Sequence, residues 1–224
     1  MPTEASLYIL LVNNYLPIVN IKGDEIIMVS LTTNEARTMD FLIRNFSKNY
    51  NINQLAKNLS ISPGGIFKIL KKLEKKKFLT ENKMGNNIFY KINYKSYDAL
   101  DACKFALTEK KTTPYISAWI KDLESLRINT ELAVLFGSIL SKGREAADID
   151  ILLVFDKKNI MNIENSIDKL NKTKPKKIHA VYQTKEDFIK NIKKQDKAIL
   201  EEIRTGIILW GRDFLVEAIK DGQG

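Results

Sequence analysis

The spacing of apolar positions divides the chain into a front half rich in helical periodicity and a back half in which strands and helices alternate. In "IVNIKGDEIIMVS", residues 18–30, two alternating runs flank Lys22-Gly23-Asp24-Glu25. A period of two around a glycine-containing turn predicts a β-hairpin, free either to pack under the next element or to make a dimer contact. The period then lengthens. Ala36, Met39, Leu42, Ile43 and Phe46 recur at helical spacing, with Thr33 as the expected cap of a helix starting at Asn34. Ile52, Leu55, Ala56 and Leu59 predict a short second helix. Ser62 is the expected N-cap of a third, with Pro63 at its first position. Ile66, Ile69, Leu70 and Leu73 give that helix its buried stripe, and Lys68, Lys71, Lys72, Lys75 and Lys76 surround it. "FLTENKMGNNIFYKIN" reads as two strands joined at Met84-Gly85-Asn86-Asn87.

Leu100, Cys103 and Leu107 continue at helical spacing until "KKTTP", residues 110–114, breaks the pattern. The expected organisation is therefore a hairpin extension over 1–30, a helical domain with a hairpin over 31–113, and a second domain over 114–224. In the last of these, "YISAWIKDLESLRI" predicts an amphipathic helix, and "ELAVLFGS" and "DIDILLVF" predict strands. Ile160, Ile163, Ile167 and Leu170 mark the next helix, "KKIHAVYQ" a third strand, and "KEDFIKNIKKQDKAILEEI" one long helix. "GIILWG" and a helix over 212–220 close an α+β domain of common size.

Composition narrows the class. The chain has 224 residues, 44% hydrophobic and 28% charged, which is a globular balance. Its single cysteine, Cys103, excludes an intrachain disulfide and a cysteine metal cluster. The apolar run at 7–21 is interrupted by Asn13, Asn14 and Pro17, falls short of the ~20 residues a span needs, and lacks a basic n-region and a cleavage site. No membrane partner and a cytoplasmic location are expected. Residues 1–113 carry 17 Lys/Arg against 10 Asp/Glu, and residues 114–224 carry 19 against 17. The front half is the basic half, which points to a polyanion there.

Three helices followed by a β-hairpin, over roughly residues 31–93, resemble the winged helix-turn-helix of bacterial and archaeal transcription regulators. The most specific part is "INQLAKNLSISPGGIFKILKKLEKKKFL"; Lys77 stands where such domains usually have glycine. The resemblance implies double-stranded DNA as partner, contacted by Ser62, Gly64, Gly65, Lys68, Lys71 and Lys72 on the third helix and by Lys83 and Asn86 in the wing. Gly64 and Gly65 let the helix start approach the backbone, and lysines neutralise phosphates. A solvated lysine face on a protein-contact module is the other reading.

The chemistry concentrates in "FGSILSKGREAADIDILLVF", residues 136–155. Strand side chains alternate, so Asp148 and Asp150 share a face, ~7 Å apart over two residue steps. Two carboxylates so placed can hold Mg²⁺, which takes carboxylate and phosphate oxygens. Gly137 and Ser138 end the preceding strand, where glycine admits a phosphate and N–H and hydroxyl groups can bind its oxygens. Lys142 and Arg144 offer countercharge. A solvated strand end beside an ordinary turn explains either feature alone, not both at this spacing.

G-S-x(9)-D-x-D resembles the minimal nucleotidyltransferases of the DNA polymerase β superfamily, over residues 115–220. The resemblance implies a small mixed sheet and transfer of a nucleoside monophosphate from an NTP to a protein or RNA acceptor. Asp148 and Asp150 would bind Mg²⁺, and Gly137, Ser138, Lys142 and Arg144 the nucleotide. In that superfamily a third carboxylate on a later strand faces the pair; the matching place here holds His179. Either it is a replacement base, since imidazole accepts a proton, or it marks a site that binds nucleotide without transfer. Glu186 and Asp187 read as the first turn of the next helix. The expected protein is a homodimeric DNA-binding nucleotidyltransferase. The alternative is a transcriptional regulator whose transferase-like domain senses nucleotide or mediates assembly.

Overall fold

The computed structural model describes residues 15–22, 25–107 and 112–223. The chain divides into two compact units between Ala106 and Leu107. The Gly23-Asp24 turn and residues 108–111 lie outside the described residues. Among the described residues no helix is long and apolar enough to cross a membrane.

In the first unit, β1 (Tyr15–Lys22) and β2 (Glu25–Thr32) pair antiparallel. Next come α1 (Thr33–Arg44), β3 (Tyr50–Asn51), α2 (Ile52–Leu59), α3 (Pro63–Lys75), β4 (Leu79–Met84), β5 (Asn87–Ile92) and α4 (Tyr97–Ala106). The strands β3, β5 and β4 form a sheet in that order. Its core is the apolar stripes: Met39 and Ile43 of α1, Leu55 of α2, Ile66, Leu70 and Leu73 of α3, and Leu100 and Cys103 of α4 are all buried. Each such side chain removed from water contributes ~1.5–3 kcal/mol.

The cap of α1 is Thr32, not Thr33. Thr32 Oγ1 accepts from Glu35 N–H at 3.2 Å and Glu35 Oε2 accepts from Thr32 N–H at 2.8 Å. This reciprocal box needs a Glu or Gln side chain three residues after the cap, and Glu35 meets that requirement for Thr32. Ser62 caps α3 as expected, accepting from Gly65 N–H at 3.2 Å, with Pro63 opening the helix. After α3 the chain turns through Lys77 at φ 60°, a left-handed conformation that glycine adopts without strain.

The second unit is three-layered. Its elements are α5 (Pro114–Leu123) with a 3₁₀ continuation over Glu124–Asn129, β6 (Leu132–Phe136), α6 (Ile139–Lys142), β7 (Ile149–Phe155), α7 (Ile160–Thr173), β8 (Ile178–Thr184), α8 (Lys185–Lys193), α9 (Lys197–Thr205), β9 (Ile207–Trp210) and α10 (Arg212–Gly222). The sheet order is β8-β7-β6-β9, with β7 parallel to β8 and antiparallel to β6, which is antiparallel to β9. Ile149, Ile151, Leu153 and Phe155 pack with Ile116 and Trp119 of α5 and Ile163 and Ile167 of α7. On the opposite face Leu152 and Val154 are equally buried, on the side covered by α8, α9 and α10. The strand β7 is thus core on both faces and polar only where it begins.

The expected single long helix near the C-terminus is two. Gln195 turns left-handed at φ 54°, and Asp196 Oδ1 accepts from Ala198 and Ile199 N–H at 3.0 and 3.1 Å to start α9.

Candidate active site and basic face

The two acids meet a glycine, a serine and a histidine where β6, β7 and β8 place them side by side. Phe136, the last residue of β6, pairs with Asp150, and Asp150 pairs on its other side with His179. Ile149 N–H donates to the Lys177 carbonyl at 2.9 Å, which starts the parallel ladder at this level. Asp148 precedes the strand by one residue and Asp150 lies within it. The alternation aims both at one side.

His179 Nδ1 lies 3.0 Å from Asp148 Oδ2 and 4.0 Å from Asp150 Oδ1. One donor atom from each of the three residues falls within 4.8 Å of the other two. The aspartates are about three-quarters buried and the histidine side chain is 64% exposed, so the cluster opens to solvent on the histidine side. Burial, and then the neighbouring Asp148, raise the Asp150 carboxyl above its ordinary range; His179 and the Ser138 N–H oppose this.

Gly137 has φ 77°, and a Cβ there would stand 2.8 Å from Asp150 Cγ. Both the backbone and the neighbour demand glycine. Ser138 follows, its carbonyl accepting from Lys142 N–H at 2.8 Å as the single turn of α6 forms. Lys142 is exposed at the end of that turn. Arg144 lies over the Tyr115 ring, 5.6 Å from its centroid, so of the two expected countercharges one already has an aromatic partner.

Two contributors were not anticipated. Lys176 Nζ donates to the carbonyls of Arg144, at 2.8 Å, and Ala146, pinning the loop that leads into Asp148. Glu202 of α9 is buried, with Oε2 lacking a hydrogen-bond partner. Burial, then Asp196, then Asp150 push its carboxyl up to about 7. A buried acid off the sheet has no periodic signature, since "AILEEIRT" reads as an ordinary amphipathic helix.

In the first unit, a Cβ on Gly64 would enter open space, while one on Gly65 would meet Ile61 and Ser62 at 3.0 Å. Lys68 is exposed on α3 beside Phe67, itself 46% exposed, and Lys83 and Asn86 are exposed at the β4–β5 turn. Lys71 is held by Glu74 and Glu81 at 2.8 and 2.7 Å. Lys72 reaches Glu35 at 2.8 Å, and Lys76 reaches the same carboxylate at 3.5 Å. The side chain of Glu35 is buried, and it ties the start of α1 to the end of α3.

Residues 120–209 match the family described as "Polymerase beta, Nucleotidyltransferase". No curated protein matches the chain. Among solved structures, mutants of Lactococcus lactis ZitR are similar to part of it. One is 18% identical, covers 50% of this chain and 66% of its own, and has a TM-score of 0.29. Another, also 18% identical, covers 51% and 83%, with a TM-score of 0.32.

Proposed function

We propose that this chain is a DNA-binding protein whose second unit transfers a nucleoside monophosphate from an NTP to a protein or RNA acceptor. The observation that carries the reading is the meeting of Asp148, Asp150 and His179 beside the Gly137-Ser138 turn, inside the segment that matches the nucleotidyltransferase family. The donor set fits a divalent cation, Mg²⁺ or a relative: two carboxylates and an imidazole converge, open to solvent on the histidine side. A cation held there supplies charge stabilisation for the attacking and leaving oxygens of an in-line displacement. Asp148 and Asp150 hold it. Gly137 leaves room for the Asp150 carboxylate to pack against the turn, and Ser138 and Lys142 offer donors to the triphosphate.

The front unit fits a winged helix-turn-helix, with α3 as the recognition helix and β4–β5 as the wing. Lys68 and Lys83 offer phosphate contacts there, and Gly64 permits close approach.

The test is incubation of the pure full chain with Mg²⁺ or Mn²⁺ and each labelled NTP, with and without cell extract. Label on a macromolecule, lost in the Asp148→Asn/Asp150→Asn variant, supports transfer. Nucleotide binding that the same variant abolishes, with no label transferred under any condition, leaves the regulator that senses nucleotide. The histidine in place of a third carboxylate favours that second reading.

A further inference from the structure

We infer that His179 is a metal ligand through Nδ1, and that Asp148, Asp150 and His179 form a site for a first-row transition dication, such as Mn²⁺, in preference to Mg²⁺. The inference rests on the reading of this cluster as the cation site, and it assigns both the third ligand and the class of metal.

Orientation comes first. The ring nitrogen turned toward the aspartates is Nδ1, at 3.0 Å from Asp148 Oδ2 and 4.0 Å from Asp150 Oδ1. Donors bound at ~2.1 Å to an octahedral centre stand ~3.0 Å apart when adjacent and ~4.2 Å apart when opposite. Both spacings from His179 fall in that range, and one donor atom from each of the three residues lies within 4.8 Å of the others, so small side-chain adjustments on unmoved strands bring all three to one cation. The backbone holds them there, because Asp150 and His179 are register partners on adjacent parallel strands.

Chemistry then chooses the ion. Carboxylate, carbonyl and water oxygens suit Mg²⁺, whereas an imidazole nitrogen suits the softer transition dications. Two oxygens and one nitrogen retain the hard ligands that nucleotide chemistry needs while raising affinity along the transition series. Ligation also fixes the proton. A ring that gives its Nδ1 lone pair to a cation carries hydrogen on Nε2, so it cannot serve at the same time as the general base. The open side of the ring then presents an N–H donor outward, where a phosphate oxygen could accept it.

The experiment uses the full-length protein and the bare ions. Binding of MnCl₂ is followed by the loss of the free-Mn²⁺ EPR signal, and MgCl₂ by competition against it. Wild type is expected to bind Mn²⁺ at least about tenfold more tightly than Mg²⁺ and to show imidazole nitrogen coupling in pulsed EPR. His179→Ala is expected to lose that coupling and most of the Mn²⁺ preference while keeping Mg²⁺ binding. The side chain is 64% exposed, so the substitution leaves the core intact. His179→Asp, which restores an all-oxygen set, should shift preference toward Mg²⁺. If wild type binds both ions and His179→Ala changes neither, the ligand role is overturned and the cation-site reading stands. If wild type binds neither ion, or Asp148→Asn/Asp150→Asn binds both as well as wild type, both fall.

Discussion

Gly137 lies against Asp150 so closely that a β-carbon on the glycine would stand 2.8 Å from the aspartate's Cγ and nearer still to its Oδ2. The turn that would receive a triphosphate and the carboxylate that would hold a cation are therefore one packed unit. Gly137→Ala should push the Asp150 carboxylate out of line and add left-handed strain of about 1–2 kcal/mol. The expected result is a loss of Mg²⁺–NTP affinity of at least about tenfold, with the fold retained. Calorimetry decides it; unchanged affinity would reduce Gly137 to a turn residue.

The lysines of α3 should separate by role. Lys68→Ala should lower the log–log salt slope of duplex DNA binding by about 0.9, the value of one phosphate contact. Lys72→Ala leaves Glu35 with one fewer cation and should destabilise the chain by about 1–3 kcal/mol, visible in thermal melts. If Lys72→Ala flattens the salt slope without lowering stability, its bond to Glu35 gives way to phosphate.

Glu202 makes stability depend on pH with a definite sign. Its folded pKa of about 7 lies above the ordinary 4.5, so the folded chain holds a proton that the unfolded chain has released between those values. The stabilisation present below pH 4.5 is lost as pH rises toward 7. Glu202→Gln should remove that loss and stabilise the protein at pH 8 by at most about 3 kcal/mol. Parallel melting curves of the two proteins from pH 5 to pH 8, in metal-free buffer, would contradict this.

Lys77 occupies a left-handed turn with its carbonyl accepting from Asn93 Nδ2 at 2.9 Å. Lys77→Gly relieves the strain at the cost of glycine's larger backbone entropy, for a net gain of up to about 1 kcal/mol. Lys77→Ala should gain nothing. Chemical denaturation of the three proteins side by side tests the contrast.

Periodicity exposed what repeats along the chain. The stripe Ile66, Ile69, Leu70, Leu73 announced α3, although Ile69 is only half-buried, and Asp148-Ile149-Asp150 announced two acids on one face, because both follow from local geometry. It failed where distant partners decide. The break at Gln195 was hidden because Ile192 and Ile199 keep helical spacing across it. Glu35 lies outside the apolar stripe of α1 and is nonetheless a buried link between two helices. Lys71 and Lys72 looked like free charge, yet each has a carboxylate from elsewhere in the unit. Glu202 gave no signal, since a helix written as polar does not disclose which of its acids faces inward.

The place of β8 at the margin of its sheet gives the three clustered side chains unequal footing. Asp150 sits on β7, hydrogen-bonded to a strand on either side, while His179 sits on β8, with a ladder on one side alone. Asp150 is thus held from both sides and His179 from one. Backbone amides of β7 should be the last in this unit to exchange with deuterated solvent, and those around His179 should exchange sooner. In the proposed reaction, this less anchored edge is the side from which a triphosphate would enter and a cleaved pyrophosphate would leave.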